Sequence, residues 1–510
     1  MHWLTLPSPK AVQPPAFLDL AGARSWLATQ PQAQPLLMQR ALSTQIDAID
    51  AGQLAPAQAV ELLDFLHHSV VPTQASLEVR YARKALPMPA DEERIFGAAQ
   101  ELWSQLGIAY LRRAPHLAPA EKCPLLLRAA NAFRMAEFCH FLAGRECPPL
   151  LDQLLFAVLI HGESSGILRQ PVADTDLPHL GEANIAGLLA WAFLLRLLDP
   201  YRLTSAQLTV ANRALSRWRE LCSFHAVADP SPKVQGIALA AQFDVELPEG
   251  TPAWLNIRSV SRKIQARLDA LRRGETPEAL KLGRELSASA CIRLLLDIEQ
   301  RLQLQPATAS LESGELLLVF GAEHAFSVFT DEYLNPSSGM DVTSGSLSNQ
   351  RMAVFGFDQV SRLPTAVCKL DIPGETWTLA AGRASRAGWA GARRLAPCLV
   401  ANTLAGQPRL GVLRALLCDG EATLKGRIDW YGGTVEAYRL QQQGLREQKL
   451  PRVAVFLLRE ATQMSLILPS NAPIRPGVGL ALEGHLIQHL VPTEVIERGI
   501  DFVRYACRPG

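Results

Sequence analysis

Two different spacings of apolar residues divide the chain. Up to residue 302 they recur every three or four positions, as on one face of a helix, whereas after residue 310 they alternate with polar residues, as on a half-exposed strand. The helical spacing predicts helices over residues 36–49, from 56 onward, and over 91–112, 124–143, 149–161, 183–198, 204–222, 260–273 and 277–302. Thr204 and Gln207 form a capping-box pattern at the start of one of them. A short strand is predicted within residues 236–243.

The remaining third of the chain reads as a series of short strands punctuated by glycine and proline. Strands are predicted within 315–320, 325–329, 352–357, 365–370, 376–380, 452–458, 464–468, 479–487 and 502–507. The most distinct segment is 408–433, where Asp419-Gly420 separates two β-prone arms and predicts a hairpin. The first arm, 410–417, is nearly all apolar and is expected to be a buried strand.

These patterns predict a multidomain α+β protein in which an all-α region precedes an all-β region. A chain of 510 residues is too long for a single core. We expect a helical domain over residues 1–305 and a β-barrel over 311–440. A β-unit over 441–510 is expected to complete the C-terminal module.

Composition narrows the classes of partner. The chain is 48% hydrophobic and only 19% charged, and its formal net charge is +1, so it is expected to fold and has no overall field that would attract nucleic acid. Its longest apolar segments are too short to span a membrane or, at Arg196, carry a charge. The nine cysteines are scattered singly, which argues against disulfides and zinc knuckles. With no recognisable signal peptide, a cytoplasmic location is predicted.

One segment, Gly162–Gly166, matches the G-x-S-x-G pattern of serine hydrolases. In that interpretation Ser164 is the nucleophile and His179 or His225 is the base. The flanking sequence fits a loop between helices better, because no α/β alternation surrounds it. The hydrolase stays as an alternative.

The histidines of the helical region do not predict a metal site. The adjacent residues His67 and His68 point in different directions on a helix and cannot chelate one ion together. Glu137 and His140 have the spacing of a di-metal bundle motif, but this motif occurs only once and a bundle needs it twice. No metal is predicted.

Clustered arginines suggest an anion-binding segment in the β-region. Arg383, Arg386, Arg393 and Arg394 lie close to Trp389, and guanidinium groups pair with phosphates and stack on aromatic rings. The alternative is a solvated loop whose arginines protect a strand edge from aggregation.

Several short sequence segments along the chain together resemble those of one family. They are LRLLDPYRLT at 195–204, Trp218, GVLRAL at 411–416, KGRI at 425–428, AVFLL at 454–458, SLILP at 465–469 and ERGIDFVRY at 497–505. In this order they are similar to proteobacterial proteins that combine a helical N-terminal half with a C-terminal PilZ-like β-barrel.

The resemblance implies a receptor for cyclic di-GMP. PilZ domains bind this nucleotide with an R-x-x-x-R motif and a later [D/N]-x-S-x-x-G motif. Asp371 matches the second motif, although Pro373 and Thr376 replace its serine and glycine. The resemblance implies ligand contacts from arginines near Asp371, although none has the R-x-x-x-R spacing; the candidates are Arg351, Arg362, Arg383 and Arg386.

The expected function is therefore a non-catalytic receptor or adaptor in the cytoplasm. Cyclic di-GMP would be a ligand and not a cofactor, and the helical domain would dock a protein partner. Two alternatives stay open: a scaffold whose PilZ-like module no longer binds nucleotide, and the hydrolase at Ser164.

Overall fold

The structure is a computed structural model that divides into two compact units. One unit contains residues 1–84 and 88–308, and the other contains residues 85–87 and 309–510. The residues described are 4–10, 13–174, 181–228, 236–303, 312–332, 334, 365–372, 379–384, 396–404, 407–420, 424–440, 452–461, 463–472, 474–484 and 488–510. The domain boundaries expected from the sequence stay predictions.

The first unit is built mainly from helices. They are α1 (Leu20–Ala28), α2 (Pro35–Ala51), α3 (Pro56–Tyr81), α4 (Ala90–Arg113), α5 (Pro119–Ala143), α6 (Pro149–Ser164), α7 (Ile185–Leu197), α8 (Ser205–Trp218), α9 (Leu239–Phe243), α10 (Arg258–Arg272) and α11 (Ala288–Gln303). Each predicted helix is present. Two starts were misplaced: α5 begins at Pro119, five residues before the proline chosen as its start, and residues 277–287 precede α11 without joining it.

Local signals explain where several helices begin. Proline occupies the first turn of α2 and α3, where a missing N–H leaves no hydrogen bond unmade. The predicted capping box of α8 is confirmed: the Thr204 N–H donates to Gln207 Oε1 at 2.9 Å, and the Gln207 N–H donates to Thr204 Oγ1 at 3.3 Å.

The helix α5 lies at the centre of this unit, since residues on every side of it are buried. It approaches α4 closely at Gly107, where an added Cβ atom would lie 2.5 Å from Phe133 Cε1. Small strands complete the unit. They are β1 (Val172–Ala173), β2 (Glu182–Ala183), β3 (Ser223–His225), β4 (Gly236–Ala238) and β5 (Trp254–Asn256). The strand expected within residues 236–243 therefore occupies only the first three of these residues, and α9 follows it.

The second unit contains two closed, antiparallel six-stranded barrels, which confirms the all-β architecture of this region. The first ring consists of β6 (Glu312–Phe320), β7 (Thr365–Ile372), β8 (Leu379–Ala384), β9 (Cys398–Leu404), β10 (Gln407–Cys418) and β11 (Leu424–Trp430), in the order β10-β11-β8-β7-β6-β9. The second ring consists of β12 (Thr434–Leu440), β13 (Val453–Arg459), β14 (Met464–Pro469), β15 (Leu480–Glu483), β16 (Gln488–Arg498) and β17 (Phe502–Pro509), in the order β12-β13-β14-β17-β16-β15.

One predicted strand is wrong. Residues 325–329 lie in a helix, α12 (Ala322–Thr330), whose apolar residues Ala325, Phe326 and Phe329 have the i, i+1, i+4 spacing of a helical face. Another predicted strand, 352–357, lies outside the described residues.

The predicted hairpin at 408–433 is confirmed. Strand β10 pairs with β11 from Gly411 opposite Trp430 to Cys418 opposite Leu424, and the pairing shifts by one residue at Arg414. The following strand β12 pairs with β13 and β15 in the second ring.

An apolar layer joins the two rings. Leu399, Ala401, Leu410 and Val412 of the first ring share a buried cluster with Phe456 and Phe502 of the second ring and with residues of α12. The outer face of β9 and β10 is therefore covered by the second ring. In the part of the chain that the structure describes, no helix is long and apolar enough to traverse a lipid bilayer.

Candidate functional site

Of the five predicted ligand-binding residues, the structure describes two, Asp371 and Arg383. Arg351, Arg362 and Arg386 lie outside the described residues, as do Arg393 and Arg394. Asp371 lies on β7 and Arg383 on β8, and these two strands are neighbours in the first ring.

Strand register brings these two positions to the same face of the sheet. Asp371 pairs with Ala381, and Lys369 pairs with Arg383. Because residues two apart on a strand share a face, the positions of Asp371 and Arg383 are diagonal neighbours on one face.

The next strand adds two more cations. On β11, Lys425 lies opposite Arg383 and Arg427 lies opposite Ala381. Lys369, Asp371, Arg383, Lys425 and Arg427 therefore occupy one face of three adjacent strands, which we call the cationic face.

The alternate positions of the same strands show which side of the ring this is. Leu370, Gly382, Gly426 and Ile428 form the other face by the same register. Gly426 and Ile428 are buried, and an apolar row fits the filled interior of a small barrel. The cationic face is thus the outside of the first ring.

This face has the composition of an anion site. Directly opposite positions on neighbouring strands have Cβ atoms about 5 Å apart, so four cationic positions fall within reach of one ligand the size of a dinucleotide. Lysine and arginine at such spacing can neutralise phosphodiester groups, and an adjacent carboxylate can accept hydrogen bonds from a base edge.

The sequence reasoning missed Lys369, Lys425 and Arg427 as site residues. The alternation along β11 is visible in the sequence, but its pairing with β8 crosses about 40 residues and skips two intervening strands. Local spacing carries no signal for that pairing.

A polar network borders the cationic face where β11 reaches the second ring. Asp429 lies two residues beyond Arg427 on β11, and its Oδ2 accepts a hydrogen bond from Arg414 Nε at 2.7 Å. Arg414 Nη1 also bonds Glu497 Oε1 of the second ring, and the Tyr431 hydroxyl donates to Glu497 Oε2 at 3.1 Å. Although burial disfavours the Arg414 charge, the carboxylates of Glu497 and Asp429 raise its pKa above the ordinary value.

The nucleophile-elbow alternative is wrong at Ser164. Ser164 is the last residue of helix α6, so a helix and not a strand precedes it, whereas an elbow needs a sharp turn after a strand. Ser164 Oγ donates to the backbone oxygen of His161 at 3.2 Å, and His225 Nε2 contacts Ser223 Oγ at 2.8 Å. His179 lies outside the described residues.

Two of the histidines considered for metal binding pack against aromatic rings. His67 lies 6.1 Å from the Trp103 ring and His140 lies 5.0 Å from the Phe96 ring, both measured between centroids. Burial lowers the pKa of His140 to about 4. Across the described parts of the chain, no three histidine, cysteine or acidic side chains converge as metal ligands.

Residues 21–231 match the family model described as "Cyclic-di-GMP receptor FimW, N-terminal domain". The helical region is therefore similar to the FimW N-terminal domain. The match covers less than half of the chain and ends before the β-rings. No curated protein and no solved structure matches the chain.

The region that matches the FimW model contains a buried charge cluster around the segment 195–204. The Tyr201 hydroxyl donates to the Arg145 backbone oxygen at 2.8 Å and accepts from the Cys147 N–H at 3.2 Å. Arg196 Nη1 donates to the same hydroxyl at 3.4 Å. Asp199, in the left-handed conformation, begins the short 3-10 turn at 200–202 that carries Tyr201. Residues 195–204 therefore have a structural role, because they tie α7 to the segment after α5.

Two carboxyl groups share this interior. Burial, and then the nearby Asp152, raise the pKa of Glu137 to about 8, and burial raises that of Asp152 to about 6. Arg196 and Arg134 oppose the shift of Glu137. Arg134 also stacks on Trp191, with its guanidinium carbon 3.8 Å from the ring centroid.

Proposed function

We propose that this chain is a cyclic di-GMP receptor. It binds the nucleotide on the cationic face of the first ring and acts without catalysis through a protein partner of its helical region. Two observations support the proposal: residues 21–231 match the model of a domain from a cyclic di-GMP receptor, and the register of the first ring gathers four cations around Asp371.

The chemistry of the ligand fits this face. Cyclic di-GMP carries two phosphodiester charges and two guanine bases. Arginine forks pair with phosphate and stack on bases, while a carboxylate accepts hydrogen bonds from the N–H edge of guanine. Asp371 would take the second role, and Arg383, Lys425 and Arg427 the first.

The observation that carries the proposal is the register. It unites Asp371 and Arg383, which belong to separate sequence motifs, with three further cations, Lys369, Lys425 and Arg427.

Calorimetric titration of the full chain with cyclic di-GMP tests the proposal. We expect micromolar binding, about −8 kcal/mol, which weakens at least about tenfold when Lys425 and Arg427 are both changed to glutamine. Arg498→Gln removes an exposed charge from the second ring and serves as the matched control. An Arg351→Ala, Arg362→Ala variant tests the two upstream arginines in parallel.

Wild-type protein that gives neither heat nor a thermal shift at millimolar nucleotide would refute the receptor proposal. Undiminished binding by the Lys425→Gln, Arg427→Gln variant would refute the cationic face as its site. In the first case the protein would be a nucleotide-independent scaffold, an alternative favoured by Pro373 and Thr376 in place of the motif's serine and glycine.

A further inference from the structure

The geometry points to Arg414 as a positioning residue that couples the cationic face to the second ring. The inference rests on the proposed function for its ligand, but the coupling itself can be measured without a ligand. When negative charge neutralises the cationic face, Arg414 shifts toward Asp429 and loosens its hold on Glu497 and strand β16.

Arg414 and Glu497 each lie beside an irregularity in the pairing of their strand. Arg414 falls at the point where the β10–β11 register shifts, between the pairs of Leu413 and Ala415. Glu497 directly follows a register shift in the β16–β17 pairing. A bulge turns a side chain away from the regular alternation, and here the two bulges direct opposite charges toward each other across the rings.

One guanidinium therefore serves two carboxylates that belong to different rings. Arg414 bonds Asp429 of the first ring and Glu497 of the second. The Arg414, Asp429 and Glu497 side chains are 25%, 21% and 13% exposed, so solvent screens the three charges only in part. The guanidinium bonds Asp429 through Nε and Glu497 through Nη1, so a shift of the whole group toward Asp429 lengthens its bond to Glu497.

The network is also fixed from the side of the second ring. Tyr431 donates to Glu497, and the guanidinium of Arg504 lies 5.0 Å from the Tyr431 ring centroid. Arg504 is held in turn by Ser465 Oγ at 2.9 Å and Glu460 Oε2 at 2.6 Å. Glu497 itself lies opposite Arg504 in the strand pairing. A shift of Arg414 therefore acts on a part of the second ring that hydrogen bonds of Arg504 to Ser465 and Glu460 hold in place.

The cationic face adjoins this network along a single strand. Lys425, Arg427 and Asp429 occupy successive positions on one face of β11, so Arg427 is the cation of that face nearest to Asp429 in sequence. Neutralising Arg427, by substitution or by a bound anion, removes positive potential from Asp429. This carboxylate then draws Arg414 more strongly, at the expense of Glu497.

Hydrogen exchange of the full chain, followed by mass spectrometry over residues 488–498, measures the coupling. We expect Arg427→Gln to speed exchange of β16 about threefold through easier local opening. In a Glu497→Gln background, which keeps the shape of the side chain and removes its charge, Arg427→Gln should leave β16 exchange unchanged. Glu494→Gln, at an exposed position on the same strand, is the matched background and should preserve the threefold effect.

Two outcomes overturn the inference: an Arg427→Gln effect of equal size with and without the Glu497 charge, or no effect in the wild-type background. Cyclic di-GMP is added in a separate arm, where it should speed β16 exchange in the wild type and not in Glu497→Gln. If the substitution arm shows coupling while the nucleotide produces no change and no binding, the proposed function fails and the coupling stands.

Discussion

Glu137 gives the sharpest prediction for the region that matches the FimW model. Its side chain is 1% exposed, and neither carboxyl oxygen has a hydrogen-bond donor among the described residues. Burial and the neighbouring Asp152 raise its pKa from 4.5 to about 8, against the opposing influence of Arg196 and Arg134. We expect Glu137→Gln, which is neutral at every pH, to stabilise the protein in mildly alkaline solution.

The sign follows from proton linkage. Because the folded state holds the proton of Glu137 more tightly than the unfolded state, its contribution to the free energy of unfolding is complete below pH 4.5 and is lost as the pH rises toward 8. A pKa rise from 4.5 to about 8 corresponds to at most about 5 kcal/mol, at about 1.36 kcal/mol per pKa unit. As the pH is raised from 5 to 8.5, the free energy of unfolding of the variant should therefore increase by about 2–5 kcal/mol relative to that of the wild type.

Denaturant unfolding followed by circular dichroism at pH 5 and pH 8.5 measures this difference. Glu163→Gln removes an exposed carboxylate from α6 and is the matched control, for which no such pH-dependent gain is expected. If Glu137→Gln is instead less stable than the wild type at pH 8.5, Glu137 is an anion stabilised by Arg196 and Arg134, and the reasoning from burial is refuted.

Three further changes test the packing and capping with the same unfolding assay. Gly107→Ala should destabilise by about 1–3 kcal/mol because its Cβ would overlap Phe133, whereas Gly97→Ala, on the same helix with open space around it, should gain up to about 1 kcal/mol; equal effects would contradict the close helix contact. Phe502→Ala should cost about 3–5 kcal/mol because it empties the apolar layer between the rings, and a loss below about 1 kcal/mol would argue against that layer. Thr204→Ala should cost about 1 kcal/mol and Thr204→Ser much less; equal losses would exclude the cap hydrogen bond.

The division into helices and strands was predictable because it depends on local periodicity. The 408–433 hairpin and the α8 capping box were both found from short-range signals. Segment 325–329 was misjudged because its four apolar residues fit either period in so short a run. Which strands neighbour one another, and that each ring closes, depends on pairings between distant segments, for which the sequence holds no local signal.

The site was predictable only in part for the same reason. Asp371 and Arg383 came from motif patterns, whereas Lys369, Lys425 and Arg427 join them only through the strand order β11-β8-β7. Arg414 looked like one polar residue in an apolar arm. Its partners depend on a bulge in the strand pairing, and no residue type in that arm predicts the bulge.

Closure of the second ring has a consequence for how the chain is made. Strands β13 and β14 carry the very apolar runs VAVFLL and SLIL, and the strand that completes the pairing of β14 is β17, at Phe502–Pro509. During synthesis, β14 therefore keeps an open, aggregation-prone edge until the last strand of the ring has been produced. Translation that stops between residues 470 and 500 should yield insoluble fragments, and molecular chaperones would be needed most while this stretch is being made.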